Sequence, residues 1–290
     1  MRFALFGNTY EANKSAHAEE LLRIVRRYGD KVYVDPDFNR FLREEQQFSF
    51  EPDGIIDDLR HLDIDMAISL GGDGTFLKAA HCIGDTNIPI VGINTGRLGF
   101  LADVSPDEME TFFDQLHKGH YTVRERSLLE LIIGNDHEHP TYALNEIAVS
   151  KHDSSSMLAI HTSVDGERLT TYMGDGLLIA TPTGSTAYSL RAGGPIIYPQ
   201  ADVFVLTAVA PHSLNVRPVV IADDKTITLD IESRSGSFLV AADGISQSYP
   251  EHTTLTLRKA AHSVRVVKQE NNTFFHTLQK KMMWGTDPRE

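Results

Sequence analysis

Three glycines surround a single aspartate in the stretch LGGDGTF, residues 70–76, which directly follows the apolar run MAISL. The stretch therefore lies where a strand would end and a helix would begin. Backbone N–H groups and the helix dipole at such a turn attract an anion, and glycine places no Cβ in its way. A carboxylate there repels phosphate unless it binds Mg²⁺ or accepts a proton, which are both roles that phosphoryl transfer requires. The stretch alone allows a structural turn or a phosphate site in which Asp73 acts.

Two common phosphate-binding signatures do not fit this stretch. No Lys-Ser or Lys-Thr follows at the spacing of a Walker A loop, and Leu77 stands where the dinucleotide fingerprint has Gly or Ala. What remains is the order strand, glycine turn, helix, which favours an anion site without naming its ligand.

A second candidate stretch is rich in hydroxyl groups. It is GDGLLIATPTGSTAYSLRAGGPIIYP, residues 174–199, and its central TPTGSTAYS is built of small and hydroxyl residues. Such residues suit a loop that wraps a polar ligand such as ribose or adenine, and a solvated turn is the alternative. In ALNEIAVSK, residues 143–151, Asn145 and Glu146 break an apolar alternation. Adjacent strand residues point to opposite faces, so these two share a pocket only if the strand is interrupted, and polar strand-end residues are the alternative.

Two cations lie near the glycine turn in the sequence. Arg97 belongs to GINTGRLGF, residues 92–100, which follows the apolar run IPIV, and Lys78 follows Asp73 by five residues. Ligands collect at the carboxyl ends of the strands in open α/β sheets. Arg97 and Lys78 are therefore candidate phosphate cations, with ordinary surface charges as the alternative.

The elements that must position these residues fall into two groups. Strand and helix patterns alternate over residues 1–118, which predicts a doubly wound α/β domain. Residues 36–60 do not fit that alternation, and we expect them to include an irregular surface insert. Near the end of this region, Ser105, Pro106 and Glu108 predict a helix start with a capping box.

From residue 119 the chain changes to short β-branched runs separated by turn residues, which predicts a β-sandwich or open barrel over 119–269. Residues 270–290 contain a helical pattern with Phe274, Leu278 and Met282 on one face. We expect this helix to return to the first domain, so that the α/β domain consists of residues 1–118 and 270–290.

Composition limits the possible functions. The formal net charge of −13 argues against nonspecific nucleic-acid binding, which depends on Lys and Arg, and it gives little support for an anionic membrane surface. The apolar runs are shorter than the roughly 20 residues of a membrane span, so no membrane partner is expected. Cys82 is the only cysteine, which favours a reducing compartment, and we expect a cytoplasmic protein with this thiol buried in a helix.

Taken in order, GGDGTFLKAAH, NTGRLGF, NEIAVSK, GDGLLIATPTGSTAYSLRAGGPII and WGTDPR resemble the NAD kinase family. The resemblance covers the chain from about residue 65 to its end. GGDGT alone is shared with lipid kinases of the diacylglycerol kinase type, and a variant occurs in phosphofructokinases. Its combination with NE and TPTGSTAY at these separations is highly specific.

The resemblance implies ATP-dependent transfer of the γ-phosphoryl group to the 2′-hydroxyl of the adenosine ribose of NAD, giving NADP. It implies Mg²⁺ or another divalent cation as cofactor, NAD and ATP as the small-molecule substrates, and a homodimer or homotetramer with the NAD site near a subunit contact. It also implies an α/β domain, a β-sandwich domain and a C-terminal segment that returns to the first. NADH as acceptor and polyphosphate as donor are open alternatives.

The same resemblance assigns roles residue by residue. Asp73 is the catalytic carboxylate that orients or deprotonates the 2′-hydroxyl. The ATP phosphates are expected at Gly71, Gly72, Gly74 and Thr75, with the candidate cations Lys78 and Arg97. The residues expected to contact NAD are Gly74, Phe100, Asn145, Glu146, Asp175, Thr183, Ser185, Thr186, Ala187, Tyr188 and Ser189.

Within that set, the resemblance places Phe100 beside the adenine and Asp175 near the nicotinamide half of NAD. Asp243 and Gly244 match a late DG pair of the family, to which no role is assigned. The segment from 35 to 63 does not map onto the family pattern, so its part in ATP binding is undefined.

Two other functions compete with this interpretation. A lipid or sugar kinase could use the same GGDGT element, and it would need an apolar substrate cleft or a basic membrane-facing patch. A non-catalytic NAD(P)-binding protein could keep the fold without turnover. An assay with ATP, Mg²⁺ and NAD discriminates all three.

Overall fold

The computed structural model describes residues 1–9, 15–45, 50–96, 99–153, 157–270 and 272–284. The chain divides into unit 1, Met1–Glu125 with Val264–Glu290, and unit 2, Arg126–Ser263.

Short apolar runs form the central strands of the sheet of unit 1, because strands covered by helices on both faces must be apolar along their whole length. The strands of its N-terminal part are β1 Arg2–Gly7, β2 Lys31–Val34, β3 Gly54–Ile55, β4 Met66–Leu70 and β5 Ile90–Ile93. They are parallel and lie in the order β5-β4-β1-β2-β3. Every residue of β4 and β5 is buried. Parallel strands end at one edge of the sheet, so the glycine turn after β4 and the segment after β5 share that edge.

The helices of the chain are α1 Ser15–Arg27, α2 Pro36–Arg40, α3 Asp73–Ile83, α4 Met109–His117, α5 Tyr188–Arg191 and α6 Phe274–Met282. The capping box predicted before α4 is present, because the Glu108 carboxylate accepts from both the N–H and the hydroxyl of Ser105. In unit 1, helices α1 to α3 alternate with the parallel strands, which confirms the doubly wound α/β domain. Among the residues that the structure describes, no helix is long and apolar enough to cross a bilayer.

Cys82 lies in a helix as predicted, but the prediction that it is buried is wrong. Helix α3 buries the face that carries Phe76, Ala79, Ala80 and Ile83, and position 82 falls outside that stripe. Neighbouring atoms still cover part of the sulfur, and this partial burial, with the charge of Asp35, raises the pKa of the Cys82 thiol. A thiolate is therefore disfavoured at this exposed position.

Part of the segment predicted to include an irregular surface insert contributes to the core of unit 1. Phe38 of α2 and the following Phe41 and Leu42 are buried. The rings of Phe38 and Phe41 stack with their centroids 6.3 Å apart. Residues 46–49 of this segment lie outside the described part of the chain. A π-helical turn, Phe41–Glu45, interrupts the helical spacing of the apolar residues, so the regular alternation of strand and helix patterns does not extend over this segment.

Unit 2 is formed of antiparallel strands. The chain continues with β6 Thr122–Ile133, β7 Thr141–Ala143, β8 Glu146–Lys151, β9 Leu158–Val164, β10 Glu167–Gly174, β11 Gly176–Ala180, β12 Val203–Val209, β13 Val219–Ala222, β14 Ile227–Ser233, β15 Ser237–Ala242, β16 Ile245–Pro250 and β17 Leu255–Lys268. One sheet has the order β13-β12-β11-β8-β15-β16, and the other contains β10-β9-β14-β17 with β6 and β7 paired to its edge.

A single apolar cluster contains residues of both sheets, including Ile147, Ile179 and Phe238 from the first and Ile160 and Leu229 from the second. The two sheets therefore pack face to face, which confirms the β-sandwich. Residues Leu255–Lys268 form one strand of 14 residues. In unit 1 its residue Val266 pairs in parallel with Ile90 of β5.

Candidate active site

Asp73 is the first residue of α3, and backbone N–H groups hold both of its carboxylate oxygens. Phe100 donates to Oδ2 at 3.0 Å, while Leu101 and Ala102 donate to Oδ1 at 3.1 and 3.2 Å. The side chain remains 31% exposed. A carboxylate has about four lone-pair positions, so these three bonds orient Asp73 and leave acceptor capacity for a ligand hydroxyl.

Glycine stands at the positions around Asp73 for different structural reasons. A Cβ at Gly71 would collide with the side chain of Thr75, and one at Gly99 would collide with the Asp73 carboxylate. A Cβ at Gly72 or Gly74 would meet no described atom within 4 Å. Gly72 has an ordinary φ of −93°. Neither packing nor conformation thus explains Gly72 and Gly74, and the free space at these two glycines fits the close approach of a ligand to the backbone.

Of the two cations predicted from the sequence, the structure describes Lys78, which pairs with carboxylates other than Asp73. Lys78 contacts Asp35 at 3.1 Å and Asp37 at 3.5 Å. Burial lowers the pKa of Lys78, and these two carboxylates more than offset that effect, so its pKa is raised. Lys78 is therefore a fixed cation already engaged by two carboxylates. Arg97 lies outside the described residues.

Among the described residues, the cation that contacts Asp73 is Lys281 of α6, which was not predicted from the sequence. Its Nζ lies 3.5 Å from Asp73 Oδ2 and 4.3 Å from the centroid of the Phe100 ring. The ring of Phe100 also packs against Phe274 of α6 at 6.3 Å. A signal existed, because Lys281 follows Phe274 by seven residues and so shares its helix face. The predicted return of the C-terminal helix to the first domain is confirmed.

A second carboxylate, Asp243 of unit 2, organises the Asn145 and Glu146 motif. It accepts from the backbone N–H groups of Leu144, Asn145 and Glu146 at 2.7, 2.8 and 3.1 Å. Asp243 and Gly244 have φ of +47° and +89° and form the hairpin turn between β15 and β16. The late DG pair thus has a role that the sequence did not assign. Leu144 and Asn145 lie between β7 and β8, which is the strand interruption that the pair required.

Glu146 is a site residue whose carboxyl has a strongly raised proton affinity. Burial raises the pKa of its carboxyl to about 7, and the nearby charge of Asp243 acts in the same direction, while the Tyr188 backbone N–H acts against them. Its Oε2 is buried without a hydrogen-bond partner in the described structure. Near neutral pH this carboxyl exists in both forms, so it can donate to or accept from a ligand hydroxyl.

The hydroxyl loop is held mainly by its own side chains. Ser185 donates to the Pro182 carbonyl at 2.7 Å and accepts from the Ile197 N–H at 3.0 Å. The hydroxyls of Ser189 and Thr207 lie 2.9 Å apart. Ser185 and Ser189 are fully buried, so these hydroxyls fix the loop.

The other loop residues differ in exposure. Thr183 is nearly buried, Thr186 and Ala187 are half-buried, and Tyr188 is 45% exposed. The Thr186 hydroxyl donates to the Thr183 carbonyl at 3.2 Å. Tyr188 therefore has the largest exposed fraction among the loop residues predicted to contact NAD.

The hydroxyl loop also lies directly on the Asn145 backbone. The Thr181 N–H donates to the Asn145 carbonyl at 2.9 Å, and a Cβ at Gly184 would collide with that same carbonyl. Two motifs almost 40 residues apart in sequence thus form one surface in unit 2. Asp175 is paired with Lys151 at 2.7 Å.

Among the described residues, no three His, Cys, Asp or Glu side chains form a group that could hold a metal ion. Kinases usually hold Mg²⁺ with one or two carboxylates together with the substrate phosphates. A single carboxylate at a glycine turn, which Asp73 provides, fits that mode of binding.

Unit 1 is doubly wound and carries a carboxylate in a glycine turn of the kind that binds phosphate. Unit 2 is a β-sandwich that carries the hydroxyl loop. These features indicate a nucleotide kinase with two domains. Comparison with known families specifies it further. The family model of the ATP-NAD kinase N-terminal domain matches residues 3–121. The family model of the ATP-NAD kinase C-terminal domain matches residues 144–269. The chain belongs to the NAD kinase family. This confirms the resemblance stated from the motifs and, with it, the assignment as an ATP-dependent kinase.

Relatives match along the whole chain. It is 56% identical over 290 residues to the NAD kinase of Bacteroides fragilis, with all of both chains covered. It is 41% identical over 288 residues to the NAD kinase of Porphyromonas gingivalis, with 99% of each chain covered.

Two solved structures share the fold. The crystal structure of yeast NADH kinase complexed with NADH superposes with a TM-score of 0.87 at 23% identity, covering 99% of this chain and 89% of that one. An NAD kinase from Archaeoglobus fulgidus in complex with ATP gives a TM-score of 0.76 at 26% identity, covering 98% and 99%. The predicted two-domain architecture is confirmed.

Proposed function

We propose that this chain transfers the γ-phosphoryl group of ATP to the 2′-hydroxyl of the adenosine ribose of NAD, giving NADP and ADP. One observation carries the proposal: Asp73, at the N-terminus of α3, is held by three backbone N–H groups between glycines that leave space for a ligand. The name NAD kinase of its relatives supports the acceptor, and the ATP bound to the Archaeoglobus fulgidus kinase supports the donor.

In the proposed reaction, Asp73 orients the 2′-hydroxyl and accepts its proton. The 2′-oxygen then forms a bond to the γ-phosphorus, while the bond from that phosphorus to the β–γ bridging oxygen breaks and ADP leaves with the electron pair. The phosphoryl group passes over Gly72, Gly74 and Thr75, where N–H groups at the start of α3 meet its charge. The protein contributes mainly position and electrostatics, because the transition state is loose and highly charged.

A divalent cation, Mg²⁺ or another, would neutralise charge on the ATP phosphates when bound. The ATP phosphates would hold it, and Asp73 is the carboxylate on the protein side that would contribute. This arrangement follows from the single carboxylate at the turn.

The NAD site is proposed on the surface formed by Asn145, Glu146 and the hydroxyl loop. Thr186, Ala187 and Tyr188 are partly exposed and are suited to contact ribose and adenine, whereas the buried Ser185 and Ser189 keep the loop in shape. Glu146 would bind a ribose hydroxyl, since its carboxyl can serve as donor or acceptor near neutral pH. Asp175 and Phe100 keep their proposed contacts to the nicotinamide half and the adenine.

Two wider properties belong to the same proposal. We infer a homodimer or homotetramer and a cytoplasmic location, as the family resemblance and the single cysteine suggest. Light scattering at several protein concentrations would test the oligomeric state.

The deciding experiment is an assay with the protein, ATP, Mg²⁺ and NAD, in which an NADP-dependent dehydrogenase reports NADP. Formation of NADP supports the proposal. Binding of NAD without turnover would indicate a non-catalytic protein, and turnover only on a lipid would indicate the rival kinase; either result would contradict the proposal. Repeating the assay with NADH and with polyphosphate defines the acceptor and the donor.

A further inference from the structure

The strongest unassigned feature of the site is the position of Lys281. It lies in the last turn of α6, 208 residues from Asp73 in sequence, and its ammonium lies 3.5 Å from Asp73 Oδ2. The same ammonium lies over the Phe100 ring. Its side chain is 30% exposed, so it is largely covered and still accessible to a ligand.

The helix that carries Lys281 is anchored on the segment that holds Asp73. Thr273 caps α6 by accepting from the His276 N–H at 3.2 Å. Asn272, just before the helix, donates to Asp103 at 2.9 Å, and Lys268 contacts the same buried carboxylate at 2.7 Å. Residues 100–102 supply the N–H groups that Asp73 accepts. The position of Lys281 is therefore set by the same packing that orients Asp73.

A protein cation at this point offsets charge that a divalent cation on the ATP phosphates neutralises only in part. Asp73 carries a negative charge, and the phosphoryl group that must approach it carries more. Lys78 is engaged by Asp35 and Asp37. In the part of unit 1 that the structure describes, the ion pair formed by Asp73 is with Lys281.

The chemistry of an ammonium group suits this task. It has three donors, and a contact of 3.5 Å to Asp73 is long for a hydrogen bond, so the group can turn toward a second acceptor. A lysine on a flexible stem can follow a phosphoryl group as it moves from donor to acceptor.

We propose that Lys281 is a catalytic residue of the phosphoryl transfer, whose ammonium leaves Asp73 to bind the γ-phosphoryl oxygens while Asp73 takes the 2′-hydroxyl. This rests on the proposed function. The ammonium compensates the charge that gathers on the phosphoryl oxygens as the bridging bond breaks, and it also offsets the repulsion between phosphate and Asp73.

The test compares Lys281→Met, Lys281→Gln and Lys281→Arg with the matched control Lys280→Met. Lys280 is the neighbouring lysine on α6, and it lines a separate polar pocket with Asp103, Glu108 and His276. Steady-state assays give kcat and the KM values, calorimetry gives the Kd for NAD, and thermal melting reports the fold.

We expect Lys281→Met and Lys281→Gln to lower kcat about 10²-fold, the loss seen when one donor to a transition-state anion is removed. Their Kd for NAD should change far less than kcat, because the lost charged contact is to the phosphoryl group. Lys281→Arg should recover most of the turnover, and Lys280→Met should behave like the wild type.

Failure of the two proposals is distinguishable. If the wild type forms no NADP, the proposed function itself is wrong. If the wild type is active and folded Lys281→Met and Lys281→Gln keep kcat within about threefold of it, Lys281 has no role in the transfer step. Lower affinity for NAD with unchanged kcat would place Lys281 in the NAD site and also overturn the proposal.

Discussion

The carboxylate of Asp73 accepts a hydrogen bond from the backbone N–H of Phe100 at 3.0 Å, although 27 residues separate the two in sequence. Asp243 does the same with the N–H of Asn145 at 2.8 Å. Each carboxylate accepts hydrogen bonds from three consecutive backbone N–H groups. The segment that donates them contains residues predicted to contact a ligand. In both units an aspartate therefore fixes the backbone on which the site is built.

The free space at Gly72 predicts that this glycine serves the ligand and not the fold. Gly72→Ala should change the free energy of unfolding by less than about 1 kcal/mol, because its Cβ meets no described atom and its φ suits any residue. It should raise the KM for ATP, since the methyl group fills the proposed phosphate space. Steady-state kinetics and urea unfolding measure the two effects.

The control for that variant is Gly184→Ala, at a glycine that packs against the Asn145 backbone. It should lower the free energy of unfolding by about 1–3 kcal/mol, as overpacking does. A Gly72→Ala protein that unfolds as easily as Gly184→Ala would show that Gly72 is structural.

Asp243→Asn tests whether this aspartate positions the Asn145 and Glu146 motif. Asparagine tolerates the positive φ of the turn, but only one of its two terminal atoms accepts hydrogen bonds, so an N–H group of the triplet loses its partner. We expect a loss of about 1–3 kcal/mol in unfolding free energy and a higher KM for NAD.

Asp224→Asn, at an exposed aspartate of the same unit, removes one charge without touching the motif and is the matched control. Equal effects of the two variants on stability and on the KM for NAD would contradict the positioning role of Asp243.

The raised pKa of Glu146 predicts a pH dependence of stability. Its carboxyl has a pKa of about 7 in the folded protein against an ordinary 4.5, so the folded state binds more protons between these values. Its contribution to stability is therefore lost as pH rises from about 4.5 to 7, by up to about 3 kcal/mol, and stays constant above. Glu146→Gln should remove this part of the dependence, as measured by urea unfolding from pH 4.5 to 8.

Glu138→Gln, at an exposed glutamate of unit 2, should retain the pH profile of the wild type. If Glu146→Gln and the wild type showed parallel profiles across this range, the Glu146 carboxyl would not titrate near neutral pH.

Local patterns in the sequence were sufficient for many elements of the fold. The apolar run before Gly71 predicted β4, the glycines predicted the turn, and Ser105 with Glu108 predicted the helix start before α4. These features depend on neighbours within a few residues, so local spacing records them. The combination of motifs was also enough to identify the family.

Features that depend on distant contacts were missed. Lys281 reaches Asp73 only because α6 returns to unit 1. Its spacing from Phe274 gives its helix face, but the sequence does not record which residue lies opposite that face. Asp243 acts on residues 144–146 through a hairpin formed nearly 100 residues later. A DG pair after an apolar strand does signal a turn, but the acceptor role of its aspartate appears only in the fold. The burial predicted for Cys82 was wrong because neighbouring positions of a helix point in different directions, so a shift of one residue can move a side chain from the core to the surface.

The central claim is that Asp73 is the catalytic carboxylate, and the turnover of Asp73→Asn tests it most directly. Asparagine preserves the size of the side chain but cannot take the proton of the 2′-hydroxyl. We predict a folded protein that binds NAD with unchanged affinity and whose kcat falls about 10²- to 10⁴-fold. A folded Asp73→Asn protein with near-wild-type kcat would contradict the claim and leave Asp73 as a structural residue of the turn.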